Sequence, residues 1–447
     1  MLRCYFFTLL TLLGAVYAQE GESLDDSLFG GDEVVEAQEE ESGDANDSLF
    51  GDSFFSDVEE DAGANPADDL LTSDRVTLGG DFRVAADINL GLNPAEDEDA
   101  FLSGLEELRT RLYLDARPDA DFRAFVKTDL SYETEDGLSL DLREAFADID
   151  ISNQVFIRGG KQTVNWGVGL FFSPANLINL ETIDPEDTDA ELAGPVSVKA
   201  QVPVGTSNAT GYLLLDDIDS GADIGVAARY EFLLEGFEVT VGGVLRNERP
   251  WAVMATATGS VEDVTVFGEV VLEGNVDKMF VTEDPNSPSG YSAAASDDVY
   301  VSATFGARYS YTTEDDLYTV SGAAQYYFNG LGYADPSVLT DNPAVVGGFI
   351  ANGDLSFNDL RERSQHYLAA NVTSPDIAGS DFTPSALWLG SLGDGSGFAT
   401  AELSYTGIDN FTPSVGYRLN YGPDGAEYSP LGTRHSLRLG FVLEGAF

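Results

Sequence analysis

From Arg75 to the last residue, apolar and polar positions alternate with a period of two in one stretch after another. Val76, Leu78, Phe82, Val84, Ala86, Ile88 and Leu90 interleave with Thr77, Asp81, Arg83, Asp87 and Asn89. Leu108, Thr110, Leu112, Leu114 and Ala116 interleave with Arg109, Arg111, Tyr113, Asp115 and Arg117, and similar runs recur at 224–232, 237–245, 264–272, 301–311, 318–328, 415–421 and 437–447. A period of two marks strands whose alternate side chains face opposite sides of a sheet. Most runs have nine or more residues, longer than the roughly five or six of a soluble strand and close to the roughly 9–11 that cross a bilayer at a tilt. Long connections (91–105, 167–195, 274–298, 329–364) are set among short ones (118–120, 152–154, 203–208, 233–236), as in barrels with long outer loops and short inner turns. The expected fold class is all-β: a transmembrane antiparallel β-barrel of about 16–18 strands. Pro375 and Pro384 blur the strand limits in 365–392 and leave the number open.

One hairpin can be tested for register. A turn at 118–120 sets Leu108 across from Leu130 and Leu112 across from Val126, with Arg109 facing Asp129 and Asp115 facing Arg123. Apolar pairs then share one face and opposite charges the other. Arg111 meets Lys127 in this register and requires a further carboxylate in the interior. Arginines 83, 109, 111, 123, 229, 246, 308, 418 and 438 all occupy the polar face, as they must if the other face meets lipid.

Composition changes the picture at the N-terminus. Residues 1–18 carry Arg3, an apolar run and Val16-Tyr17-Ala18 before Gln19, the pattern of a cleavable export signal. Cys4, the single cysteine, precedes the apolar run, so a lipid anchor on sulfur is not expected. Residues 19–74 hold 20 acidic residues and no Lys or Arg, a composition expected to stay disordered and, ahead of the first strand, periplasmic. Within this segment Asp26-Ser27-Leu28-Phe29-Gly30 returns as Asp47-Ser48-Leu49-Phe50-Gly51. Leu28, Phe29, Leu49 and Phe50 read either as a motif that docks into a periplasmic partner's groove or as a lengthened spacer. The whole chain has 22 basic and 78 acidic residues, a net charge of −56, which excludes a nucleic-acid partner.

The final strand places Leu437, Leu439, Phe441, Leu443 and Phe447 on one face. It resembles the C-terminal recognition strand of Gram-negative outer-membrane proteins, which implies reading by the barrel-assembly machinery through Leu439, Phe441, Leu443 and Phe447. Leu142-Arg143-Glu144-Ala145-Phe146-Ala147-Asp148, Val155–Gln162 with Asn165-Trp166-Gly167, and Ser173-Pro174-Ala175-Asn176-Leu177 resemble the core of several bacterial outer-membrane porin families. Those families often have Tyr where Phe146 stands. The acidic extension is outside their usual pattern and has some likeness to spirochaete major outer-membrane proteins. The resemblance implies a passive channel for small polar solutes in the outer membrane of a diderm bacterium, in contact with its lipid and open to homotrimer formation. It names no solute and no cofactor.

In general porins the third outer loop folds inward. Here that loop, 167–195, carries Glu181, Asp184, Glu186, Asp187, Asp189 and Glu191. The expectation is an acidic constriction facing a basic wall of Arg109, Arg111, Arg123, Arg143 and Arg158, a pair that sets up a transverse field. The bland alternative is an outer flap, with the arginines paired only to neighbouring carboxylates. A substrate-directed transporter would line its pore with aromatic residues such as Tyr113, Phe125, Phe146 and Trp166. A barrel serving only as an anchor would have a closed lumen. No G-x-S-x-G, P-loop, H-E-x-x-H or EF-hand spacing is present, so neither catalysis nor a metal site is expected.

Overall fold

A computed structural model of the protein describes residues 75–92, 102–134, 137–188, 190–215, 224–247, 250–314 and 317–447. The export signal (1–18), the acidic segment (19–74) with Leu28, Phe29, Leu49 and Phe50, the loop acid Asp189, and the acidic run 216–219 lie outside the described residues.

Eighteen antiparallel strands close into a barrel. They begin with β1 (Val76–Leu92), β2 (Leu102–Asp119), β3 (Phe122–Glu133), β4 (Gly137–Ile151), β5 (Val155–Lys161) and β6 (Val196–Val204). Then come β7 (Ser207–Leu215), β8 (Ile224–Leu234), β9 (Phe237–Arg246), β10 (Trp251–Val261) and β11 (Val264–Gly274). A two-strand hairpin, β12 (Phe280–Glu283) and β13 (Tyr291–Ala294), stands apart in an outer loop. The wall resumes with β14 (Val299–Thr312), β15 (Thr319–Phe328), β16 (His366–Thr373) and β17 (Phe382–Ser391), and ends with β18 (Gly397–Tyr405), β19 (Phe411–Tyr421) and β20 (Arg434–Ala446). Consecutive strands pair throughout, and β20 pairs with β1 from Asp81↔Ala446 to Leu92↔His435. Phe447 completes the seam, exchanging backbone hydrogen bonds of 2.8 and 2.9 Å with Gly80.

The barrel is apolar outside and charged inside. Leu78 and Leu140 are 73% exposed and Phe305 64%, whereas Asp129 and Glu269 are only 5% exposed. A water-soluble sheet would show the reverse, because burying leucine is favourable and burying a carboxylate costs free energy. At one end of the barrel the strands are joined by tight turns. Ser152-Asn153 and Glu235-Gly236 have positive φ at both central residues, the backbone twist that suits a two-residue hairpin.

The sequence-based hairpin between β2 and β3 keeps its faces but not its register. The turn is at 120–121, and a bulge between Ala116 and Asp119 takes up Arg117 and Pro118. Pro118 has no N–H to give the ladder, so the irregularity falls where a hydrogen bond is already missing. The shift of two residues leaves sidedness intact and sets Arg111 across from Asp129 and Tyr113 across from Lys127. A second bulge, against Lys127 and Thr128, leaves Arg143 unpaired in β4. The outward row Leu138, Leu140, Leu142 therefore changes parity to Ile149, Ile151, and both Arg143 and Glu144 face the lumen. Pro375 lies in a turn and Pro384 within β17, paired with Leu403, so 365–392 supplies two strands and the number is 18.

Val270, midway along β11 on the outward row, gives a direct test of whether that row meets lipid. Val270→Arg should cost about 2–4 kcal/mol of stability for a charge at the bilayer midplane. The lumenal Ser131→Arg should cost under about 1 kcal/mol, both read from denaturant titrations of the barrel refolded in lipid vesicles.

Candidate functional site

The third outer loop, 162–195, begins earlier than the sequence pattern suggested, because β5 ends at Lys161. Gly160, at φ +135°, sits so close to β4 that a Cβ would meet the Ala145 carbonyl at 2.1 Å. Only glycine allows the chain to leave the wall there, which gives a physical reason for Gly160. The loop then turns into the lumen and crosses it in two limbs.

The first limb, 162–180, packs on the inner wall. Val164, Trp166, Ala175 and Ile178 join Tyr212, Leu214, Ala227, Val244, Ala252, Met254 and Val271, which face inward from β7 to β11. Phe171 and Phe172 pack with Ala323, Tyr327, Tyr367, Ala369, Leu389 and Phe398 of β15–β18. Two polar side chains hold the backbone. The Glu269 carboxylate accepts hydrogen bonds from the N–H groups of Val168 (2.5 Å), Gly169 (2.5 Å) and Ala175 (2.9 Å), and from Ser173 Oγ (3.0 Å). Gln325 Oε1 accepts from Leu170 and Phe171 N–H (3.0 and 2.7 Å), while its Nε2 donates to the Phe172 carbonyl (2.5 Å).

The second limb, 181–191, carries the acids toward the charged wall. Glu191 pairs with Lys127 and lies 3.3 Å from Arg111 Nη2. Arg143 Nη2 donates to the Glu191 carbonyl at 2.9 Å. Arg111 also forms a two-point bond to Asp129 (2.9 and 3.1 Å), and Arg143 approaches Asp129 at 3.4 Å. Glu186 pairs with Arg418 of β19, with Nη2 to Oε1 at 2.9 Å. The other acids make internal loop bonds: Glu181 accepts from Ala193 N–H (2.7 Å), and Asp184 accepts from Glu186 N–H (2.9 Å) and forms a bridge with Asp187. Between the limbs and β4 lies a cavity of about 450 Å³, lined by Glu144, Thr163, Asn165, Asn176, Thr188 and Glu191 among others.

Of the arginines expected in one wall, the structure brings Arg111 and Arg143 to the loop. Arg109 faces the lumen on the same strand as Arg111, and its Nε has no partner. Arg123 and Arg158 lie nearer the short-turn end, where Arg123 pairs with Asp115 (2.9 Å) and Arg158 with Asp148 (2.6 Å). Their guanidinium groups lie over Phe125 (5.0 Å) and Phe146 (3.8 Å). Tyr113, Phe125 and Phe146 form a stripe with centroid spacings of 6.5 and 5.3 Å, while Trp166 is buried at the loop root against Tyr212. Lys127 and Arg418 were not singled out from sequence as partners of the loop. Both were visible as polar-face cations, but the loop path that reaches them is not a local property.

The outer mouth is capped. The β12–β13 hairpin and two helices of loop 329–365, α1 (Ser337–Thr340) and α2 (Pro343–Asn352), share a small core of Val281, Leu339, Val346 and Leu355. Beside it, Glu427 of loop 422–433 accepts hydrogen bonds from Tyr367 Oη (2.7 Å) and Arg363 N–H (3.2 Å). Burial pushes the Glu427 carboxyl up to about 7, against the hydrogen bond from Tyr367 and the charge of Arg363, with Asp394 and Glu362 adding to the rise. His366 and His435 lie on the outward row beside Tyr326 and Tyr417.

No family model matches the chain, and no curated protein matches it. Among solved structures, a triple mutant of the Rhodopseudomonas blastica porin is 11% identical, with a TM-score of 0.42 over 83% of this chain and 100% of that one. Pseudomonas aeruginosa OccK11 is 8% identical, with a TM-score of 0.47 over 83% and 96%. A loop L8 deletion mutant of OmpT, an outer-membrane protein of Vibrio cholerae, is 8% identical, with a TM-score of 0.40 over 83% and 100%. Similarity at this level assigns neither family nor activity, and the function proposed below rests on this chain's own geometry.

Two outcomes are expected. Glu269→Ala removes the acceptor of three backbone N–H groups, each costing about 1–3 kcal/mol if left buried and unpaired. The loop should then become cleavable by protease near Val168–Ala175 in a barrel that remains folded. For Glu427 the folded pKa lies above its ordinary 4.5, so the folded cap binds the proton more tightly than the open chain. Its stabilisation is full below about pH 4.5 and is lost as pH rises through about 7. Hydrogen exchange of amides 423–432 should therefore slow as pH falls across that window, after correction for intrinsic rates, and Glu427→Gln should remove the dependence.

Proposed function

We propose that the chain is an outer-membrane porin of a diderm bacterium, a water-filled channel through which small polar solutes and ions diffuse passively. The observation that carries this reading is the sidedness of the closed wall, with leucine rows outward and ion pairs inward around the lumen. A barrel of 18 strands is too wide for wall side chains alone to fill, and charged groups at 5–10% exposure inside it need water or partners. Outward aromatics near the strand ends, among them Phe122, Tyr311, Phe382 and Tyr132, suit the two interfaces of a bilayer.

In this reading the limb 181–191 is the constriction. Its acids Glu186 and Glu191 face Arg111, Lys127, Arg143 and Arg418, and the separation of charge across the aperture orients dipolar solutes. Arg109 extends the basic side, and Arg123 and Arg158 continue it toward the periplasm. Glu181, Asp184 and Asp187 shape the limb itself. The outward row Leu439, Phe441, Leu443 and Phe447 is the strand presented to the assembly machinery, and the seam it forms with β1 is the last to close. The segment 19–74 lies on the periplasmic side, available to a periplasmic partner.

The test is single-channel recording of the refolded protein in a planar bilayer. Steady nanosiemens-scale openings are expected, and a folded barrel that never conducts rejects the reading. Arg111→Glu and Glu191→Lys should move the reversal potential in a salt gradient in opposite directions, toward cations and anions respectively. Equal shifts, or none, would place the selectivity elsewhere.

A further inference from the structure

The cavity between the two limbs of loop 162–195 and β4 contains polar groups that neither the docking of the loop nor the constriction uses. Its volume, about 450 Å³, is within the roughly 300–1,000 Å³ of cavities that hold small organic molecules. Most of its polar lining is already engaged. Thr163 Oγ1 donates to the Leu192 carbonyl (2.9 Å) and Ser173 Oγ to Glu269 (3.0 Å), while the Asn176 side chain donates to the Glu181 carbonyl (3.2 Å) and accepts from Asn179 (2.9 Å). Glu191 is held by Lys127 and Arg111. Three lining groups remain. Glu144 accepts through Oε1 from Thr163 N–H (3.2 Å), and its Oε2 has no partner among the described residues. The side chains of Asn165 and Thr188 make no hydrogen bond or ion pair with any described residue. None of the three is sealed, since Asn165 is exposed and Glu144 and Thr188 are half-buried. Ile183, Ala190 and Leu192 add apolar surface to the same cavity.

The free groups define what the cavity can hold. An ammonium uses acceptors only and leaves the Asn165 amide and Thr188 hydroxyl donors without a role. An anion would stand beside the Glu144 carboxylate in a cavity that no described Lys or Arg lines. A hydroxyl group both donates and accepts, so it matches the carboxylate, the amide and the threonine together. The described charges around the cavity are balanced, Arg111, Lys127 and Arg143 against Asp129, Glu191 and Glu144, and a neutral solute leaves that balance unchanged. We propose that the cavity is a binding site for a small neutral polyhydroxylated solute, of the size of a monosaccharide. One solute hydroxyl donates to Glu144 Oε2, others exchange hydrogen bonds with the Asn165 amide and Thr188 Oγ1, and a C–H face of the solute lies against Ile183 and Leu192. The site sits beside the constriction, and as a resting place for a passing solute it rests on the lumen being a conducting channel.

The test uses the full chain refolded in detergent and in bilayers, with D-glucose as the neutral probe, propylammonium as the cation and acetate as the anion. Saturation-transfer NMR in detergent should show saturable glucose binding to the unaltered protein. Binding should weaken about tenfold in Glu144→Ala, as expected for the loss of one hydrogen bond to a charged acceptor, and should be lost in Thr188→Phe, whose ring occupies the cavity. Glu144→Gln, which keeps an acceptor oxygen, should fall between Glu144→Ala and the unaltered protein. In bilayers, glucose should reduce potassium chloride current over the same concentration range in the unaltered channel only. Equal glucose binding by Thr188→Phe and the unaltered protein overturns the proposal, as does propylammonium or acetate binding more tightly than glucose. Heat-modifiable migration on gels confirms that each variant is folded, and if Thr188→Phe does not fold, equal binding by Glu144→Ala and the unaltered protein overturns the proposal in its place. A barrel that binds glucose in a Glu144-dependent manner but never conducts would keep the site and reject the channel, so the two failures are distinguishable.

Discussion

Every backbone N–H and C=O on a strand that meets lipid must find its partner within the protein, because hydrocarbon offers none. Under the membrane reading proposed for this chain, that requirement is met only when β20 reaches β1. The seam runs for twelve residue pairs from Asp81↔Ala446 to Leu92↔His435, with Phe447 and Gly80 extending it by two backbone bonds. Closure removes both sheet edges, and it also creates the lumen. Once closed, the period of two along each strand separates the surfaces: the same alternation that makes the outer wall apolar gives the interior Arg83, Arg111, Asp129, Asp148 and Glu269. The polar interior is therefore a consequence of closure and not a separate design.

A wide lumen creates a second requirement, since 34 residues of loop cannot cross it unsupported. The first limb of 162–195 is held by apolar packing on two separate wall sectors and by two side chains whose sequence positions give no hint of the role. Glu269 and Gln325 sit at ordinary inward positions of β11 and β15, yet their acceptors meet the N–H groups of Val168, Gly169, Leu170, Phe171 and Ala175. These N–H groups belong to irregular backbone and would otherwise be buried without partners. The hydrophobic contacts place the limb, and the two latches satisfy it.

This division explains what could be read from the sequence. Alternation is local, so strand existence, sidedness and the arginine faces were legible, and so was the long third loop. Register was less so: Pro118 in β2 and the extra residue Arg143 in β4 each shift the ladder by means of a bulge, and a bulge leaves only a faint trace in a hydrophobic pattern. Arg143 was legible as a lumenal cation, but not as one of two consecutive inward residues with Glu144. Contacts set by the loop path, such as Glu186 with Arg418, join residues 232 apart in the chain and depend on the whole barrel being closed. The Arg111–Lys127 conflict in the simple register was itself informative. It called for an interior carboxylate, and Asp129 and Glu191 both occupy that place.

The two limbs differ in what their fixing groups can do. Glu269 is 5% exposed and Gln325 2%, sealed between loop and wall, so they hold the first limb without presenting charge to the aperture. On the second limb the fixing groups are ionic and less covered: the side chains of Glu191 and Glu186 are 39% and 42% exposed. An exposed ion pair contributes little to stability and is weakened by salt, whereas its field reaches any solute passing beside it. Under the proposed function this arrangement separates two tasks within one loop. The sealed limb sets where the constriction lies, and the exposed limb can exchange its partners with a passing ion without undocking the loop. A constriction held only by its own selectivity charges would open whenever salt screened them, and the hydrophobic anchoring at Phe171, Phe172 and Ile178 removes that dependence.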